Sequence, residues 1–122
     1  MDEIVTKEIN GAVINILPYN ITIPRFKSFI ADNMKDWGTR HVIWDARTLK
    51  HINYEMLHSP DFRETLQGVK IHNRDKKFAI VVKGGGQIIE MIKLLEKLRE
   101  YGLAMNTECF EHLDSALEWI FQ

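Results

Sequence analysis

Cysteine is nearly absent. Cys109 stands alone in 122 residues, so no internal disulfide can form and a disulfide-stapled scaffold is excluded. A surplus of either charge is also missing: 16 Lys and Arg face 17 Asp and Glu, for a net charge of -1. No overall basic field is present to draw the chain to nucleic acid or to an acidic membrane. Long apolar runs are lacking too. Phe78 to Val82, the longest in the second half, falls far short of the ~20 residues a membrane-spanning helix needs. Three prolines and seven glycines leave no Pro/Gly/Ser linker, and no repeat or low-complexity tract interrupts the chain. The start, Met1-Asp2-Glu3, lacks the basic-then-apolar pattern of a signal peptide, and with the lone cysteine it gives the expectation of a reducing, cytoplasmic setting.

What is present suits a single domain over residues 1–122. The length fits one unit of roughly 100 to 200 residues, and 45% hydrophobic against 27% charged residues is enough to bury one core. Ile4 to Ile9 and Ala12 to Leu17 are β-branched runs joined by Asn10-Gly11, the dipeptide that best accepts the positive φ angles of a two-residue hairpin turn. Thr22 then caps a helix with Pro24 in its first turn, and Phe26, Phe29, Ile30, Met34 and Trp37 keep helical spacing up to Gly38. His41 to Asp45, a short apolar run closed by an acid, reads as a central parallel strand covered on both faces.

Asn53 caps a short turn over Tyr54 to Leu57. Ser59-Pro60 restarts the helix with Phe62, Leu66 and Val69 turned inward. Phe78 to Val82 is the next strand. Gly84, Gly85 and Gly86 lead from it into a helix with Ile88, Ile92, Leu95 and Leu98 on one stripe, ended by Gly102. Leu103 to Phe110 reads as a last strand, and Leu113, Ala116, Leu117 and Ile120 as the inner stripe of a closing helix. The expected class is α/β, a mixed sheet with an N-terminal hairpin, abbreviated ββαβαβα, in which each strand that follows a helix lies parallel.

This order resembles the STAS domain, the fold of bacterial anti-sigma factor antagonists. The likeness runs from about Ile4 to Ile120. It rests on Phe78 to Gly84, on the helix end Leu94 to Leu103 with Tyr101-Gly102-Leu103, and on Phe110 followed by Asp114, Ser115, Ala116 and Leu117. Ala116, Leu117, Trp119 and Ile120 are similar to the ending of the stage II sporulation protein AA-like, or STAS/Sec14-like, branch, whose fold is also similar to lipid-transfer domains. The resemblance implies a non-enzymatic regulatory or protein-interaction module, with a protein partner and no cofactor. One departure matters. Where the antagonists carry Asp-Leu-Ser and then Asp-Ser-Ser-Gly with a phosphorylated serine, this chain has Asp45-Ala46-Arg47 and Asn53-Tyr54-Glu55-Met56. The phospho-acceptor is missing. Glu55 is either a fixed negative charge in its place or an ordinary acid in the first turn of a helix.

Ligands of open α/β sheets sit beyond the carboxyl ends of the parallel strands, which selects the loops 45–51 and 83–87. Arg47, Lys50 and His51 follow one strand; Lys83 and the N–H groups of Gly84, Gly85 and Gly86 follow the next. Together they form a candidate cradle for an anion, although the glycines match neither GxxxxGK[ST] nor GxGxxG and also suit a plain connection. The candidate ligand- or partner-binding residues are therefore Asp45, Arg47, Lys50, Asn53, Tyr54, Glu55, Lys83, Gly84, Gly85 and Gly86. The alternative to a protein partner is a small lipid or phosphorylated metabolite on this rim, and a homodimer is also compatible.

No catalytic or metal-binding set is expected. Asp45 lacks a second carboxylate and reads better as a loop hydrogen-bond acceptor than as an acid or base. His41, His51, His58, His72 and His112 show no zinc-site spacing, and Cys109 reads as a packed core thiol without a base. Lys70, His72, Arg74, Lys76 and Lys77, interrupted by Asp75, read as a solvated connector rather than a contact for anionic headgroups. Tyr54, Met56, Leu57 and Phe62 read as core packing, with a lid over a hydrophobic pocket or a contact patch as the other possibilities.

Overall fold

The computed structural model describes residues 3–73 and 75–122. Five strands form one sheet in the order β1-β2-β3-β4-β5. β1 (Val5–Ile9) pairs antiparallel with β2 (Ala12–Ile16), with Asn10 and Gly11 both at positive φ, 50° and 84°, as the hairpin dipeptide requires. β3 (Val42–Asp45), β4 (Phe78–Val81) and β5 (Thr107–Phe110) follow in parallel, and β3 is the middle strand. The helices are α1 (Ile23–Asn33), α2 (Tyr54–Leu57), α3 (Pro60–His72), α4 (Gly86–Glu100) and α5 (Leu113–Ile120). The full order is ββαβααβαβα. It exceeds ββαβαβα by one strand–helix unit, because Phe78–Val81 and Thr107–Phe110 are each strands followed by their own helix, and by the short α2 that precedes α3.

Side chains alternate across each strand, so the sheet has two different faces. One face carries Ala12, Ile14, Ile43, Ala79 and Val81, closed by Ala116 and Ile120 of α5. The other carries Val13, Val42, Trp44, Ile80 and Val82 and is covered by α1, α3 and α4. Aromatic rings gather beneath α1 and α3: Phe26 meets Trp44 edge-on at 5.2 Å and stacks on Phe62 at 5.6 Å, and Trp37 meets Trp44 edge-on at 5.5 Å.

Local chemistry sets the helix ends. Thr22 accepts the Arg25 N–H at the start of α1. Ser59 Oγ accepts the Phe62 N–H and donates to the Met56 carbonyl at 2.7 Å, so one side chain both ends α2 and starts α3 with Pro60 in its first turn. Two boundaries differ from the sequence expectation. α1 stops at Asn33, whose side-chain amide donates back to the Phe29 carbonyl, and Trp37 is buried on the irregular turn beyond it. The last strand begins at Thr107 rather than Leu103. Gly102 (φ 73°) and Leu103 close α4 through Gly102 N to Arg99 O and Leu103 N to Leu98 O, both 3.0 Å, so Leu103 is the apolar residue of a helix cap packed on Leu98.

Candidate functional site

The carboxyl ends of β3 and β4 bring the sequence-selected residues to one rim. Asp45 closes β3 with its carboxylate almost wholly buried. Arg47, two residues on, grips both oxygens: Nε donates to Oδ1 at 2.9 Å, Nη2 to Oδ2 at 2.8 Å, and the Arg47 N–H adds a third bond at 3.2 Å. Burial by itself would raise the Asp45 carboxyl, but these bonds outweigh it and hold it below the ordinary 3.8, while the same contact raises Arg47. The pair is fixed and ionised. Asp45 is thus a poor proton shuttle near neutral pH, and the Arg47 fork is engaged within its own loop instead of facing a ligand.

Asn53 caps α2, its Oδ1 accepting the Met56 N–H at 3.1 Å. The Tyr54 hydroxyl donates to the Gln87 carbonyl at 3.2 Å, which ties the 53–55 segment to the glycine turn. Burial, then the nearby Glu90 charge, raise the Tyr54 phenol, so it stays a donor. Glu55 and Met56 face solvent. Lys50 is exposed, its N–H donating to Tyr19 O, and the exposed Lys83 donates its N–H to Gln87 Oε1. Gly84 and Gly85 sit at φ 53° and 59°, which explains two of the three glycines without a ligand. A Cβ on Gly84 would stand 3.4 to 3.5 Å from the Glu111 carboxylate. That negative charge beside the turn offsets Lys83, so the rim is balanced in charge rather than an anion trap.

A hydrophobic slot lies under the helices, and Leu57 and Phe62, read from sequence as core packing with a lid over a hydrophobic pocket as an alternative, are among its lining. α3 packs chiefly on α1 and α2, and α4 on β5 and α2, leaving a slot between them along the sheet. It has two lobes, of about 490 Å³ and about 320 Å³, which share Ile30, Trp44, Leu66, Ile80, Leu95 and Leu98 as walls. The larger lobe reaches the amino ends of the strands at Lys70, Asn73, Lys76, Met105 and Thr107; the smaller reaches the rim at His51, Ile52, Asn53 and Leu57. Across the seam between α3 and α4, the Arg63 guanidinium lies 3.8 Å over the Tyr101 ring. Both lobes are open to solvent on one side. The slot is therefore filled, by solvent or by an apolar occupant, or it closes by movement of its helices.

In the basic stretch Lys70 is exposed and Lys76 half-buried, both bordering the larger lobe, and Lys77 Nζ donates to the Trp119 carbonyl at 2.9 Å on the opposite face. Arg74, part of the same stretch, lies outside the described residues. His41 Nδ1 accepts the Lys77 N–H at 2.9 Å; burial, then Lys76 and Lys77, push its imidazole below 6.5. Burial, then Glu108, push the Cys109 thiol up, away from the thiolate a nucleophile needs. Among the described residues no group of three or more His, Cys, Asp or Glu is placed to hold a metal ion, and no helix is long and apolar enough to cross a membrane.

The architecture defines a STAS-like α/β protein. No family model and no curated protein matches the chain. Its structure is similar to that of an anti-sigma factor antagonist from Mycobacterium paratuberculosis, with a TM-score of 0.63 and 13% sequence identity over 98% of this chain and 94% of that one. At that identity the likeness establishes the fold, while function has to be argued from the residues.

Proposed function

We propose that the protein is a non-enzymatic STAS-like regulatory module that binds a protein partner through the rim formed by Asp45, Arg47, Lys50, Asn53, Tyr54, Glu55, Lys83 and the glycines 84–86. The observation that carries this reading is α2. Asn53 caps it, Tyr54 and Leu57 hold it against the body, and Glu55 and Met56 are presented outward in its first turn. An acid at that point gains from the free N–H groups of the turn, so Glu55 supplies constitutively the charge that the antagonists' phosphoserine supplies reversibly. The charge balance of the rim favours this protein contact over a phosphorylated metabolite in the same place.

The test is purification of the protein from its host beside a Glu55→Lys, Met56→Asp variant, with native mass spectrometry of both. A stoichiometric second chain on the original protein, lost from a variant that melts at the same temperature, is the expected result. Retention of the same chain by the variant places the contact elsewhere and refutes the reading. Glu55→Ser tests the charge itself: partner binding weakens if the carboxylate matters, and unchanged binding sinks that part of the proposal.

A further inference from the structure

From the outer edge of β1 we infer a self-association surface, on which a second copy of this chain lays its own β1 antiparallel and joins two five-stranded sheets into one. This inference stands apart from the partner-binding rim. The two edges of the sheet differ. Along β5 the Arg99 guanidinium donates from Nε to the Ala104 carbonyl at 3.2 Å and from Nη2 to the Thr107 carbonyl at 2.6 Å, so it occupies the outer side of the strand where pairing would begin. β1 is bare by comparison. All five of its residues are exposed, including the apolar Val5 at 51% and Ile9 at 38%.

The ladder shows which backbone groups that edge offers. Val13 and Leu17 donate their N–H groups to the His41 and Asp45 carbonyls, so Ala12, Ile14 and Ile16 turn theirs the other way, toward Ile9, Lys7 and Val5 of β1. Thr6 and Glu8, which alternate with these, aim their N–H and C=O groups away from the sheet. An antiparallel twin answers such a row with an identical one, and charge selects the alignment. A two-fold axis at Lys7 sets Lys7 against Lys7 of the second copy, and an axis at Glu8 sets Glu8 against Glu8; like charges directly opposite destabilise a strand pair. An axis at Thr6 avoids both. Thr6 then meets Thr6, and Val5 of each copy lies against the aliphatic stem of the other copy's Lys7. With β5 covered by Arg99, the pairing closes at two copies instead of running on into a filament. An edge this short gives a weak dimer, with a Kd of about 10 to 100 µM.

The experiment is sedimentation equilibrium of the intact protein from about 1 to 500 µM, a span chosen around that affinity. A monomer–dimer equilibrium is expected. Glu8→Pro removes an outward N–H, leaves the ladder to β2 in place and gives up an exposed ion pair to Arg40, and it weakens the dimer at least about tenfold. Val5→Glu and Val5→Lys change one exposed side chain and read the alignment: facing Lys7 of the second copy, the acid tightens the dimer about threefold and the base loosens it about threefold. This pair decides the matter if the proline variant fails to fold. A monomer at every concentration, an assembly larger than two, a dimer untouched by Glu8→Pro in a folded variant, or the same response to Val5→Glu and Val5→Lys overturns the proposal.

Discussion

Truncating one isoleucine on each face of the sheet measures the slot directly. Ile43 on β3 is fully buried and packs into the cluster closed by α5; Ile80, on the neighbouring strand, faces the other way and lines both lobes. Ile→Ala removes the same three carbons at either site. Buried truncations of this kind cost about 2–5 kcal/mol, the upper part of the range arising where neighbours cannot collapse onto the new hole. Ile43 has close partners on every side and belongs near the top, at about 4 kcal/mol. Ile80 already lacks contacts on its slot side, where dispersion attraction has been forfeited, and belongs near about 2 kcal/mol. The assay is urea unfolding at pH 7, with the free energy of each variant taken from its midpoint and slope. Equal costs, or a larger cost at Ile80, would mean that the slot is packed shut in solution and would refute the asymmetry.

Three further outcomes follow from the same contacts. The Asp45 carboxyl titrates below 3.8 in the folded chain, so the stability it contributes is complete above that pH and is lost as pH falls through the lower folded value. Urea melts at pH 7 and pH 3 should therefore show the advantage of the original protein over Asp45→Asn shrinking with acid, and an advantage that does not change would exclude the clamp. His41 is likewise depressed below 6.5, so protonation opposes folding and stability declines as pH drops from 6.5 toward the folded value; an NMR titration placing the ring at or above 6.5 would contradict it. Gly102→Ala should cost about 1 kcal/mol through its positive φ, since the one nearby atom, Lys70 Nζ, ends a flexible side chain, and a neutral result would argue against the helix cap.

Turn and cap chemistry made much of the architecture legible before any coordinates. Asn10-Gly11, Thr22 with Pro24, Ser59-Pro60 and Gly102 each act within a few residues, so their geometry is written locally. Leu103 departs from the expected strand because an apolar residue after a helix-ending glycine has the same pattern whether it starts a strand or packs back on the helix. At the rim, the Asp45–Arg47 clamp has a local signal: an Asp at the start of a turn accepts the N–H two residues on, as Asp45 Oδ1 does from Arg47, which brings the Arg47 guanidinium onto the same carboxylate before it meets a ligand. The slot had one signal, the large apolar residues Leu57 and Phe62 gathered around a Pro-broken helix, and it marked only one end. Leu66, Ile80 and Leu95 fit a core stripe equally well whether or not the helices above them converge, and periodicity reports which side faces inward, not how tightly it is filled.

Four residues are too few for a helix to hold itself together, since a first turn fixes several dihedrals for a single backbone bond. α2 therefore stands because of what it leans on: Leu57 and the preceding Ile52 against the interior, the Tyr54 hydroxyl on Gln87, Asn53 at its start. One side of this turn is a wall of the hollow and the other is the outward surface bearing Glu55 and Met56. Whatever enters the hollow and shifts that wall also shifts the surface, and reciprocity then fixes the exchange: the factor by which an occupant changes a partner's affinity equals the factor by which the partner changes the occupant's.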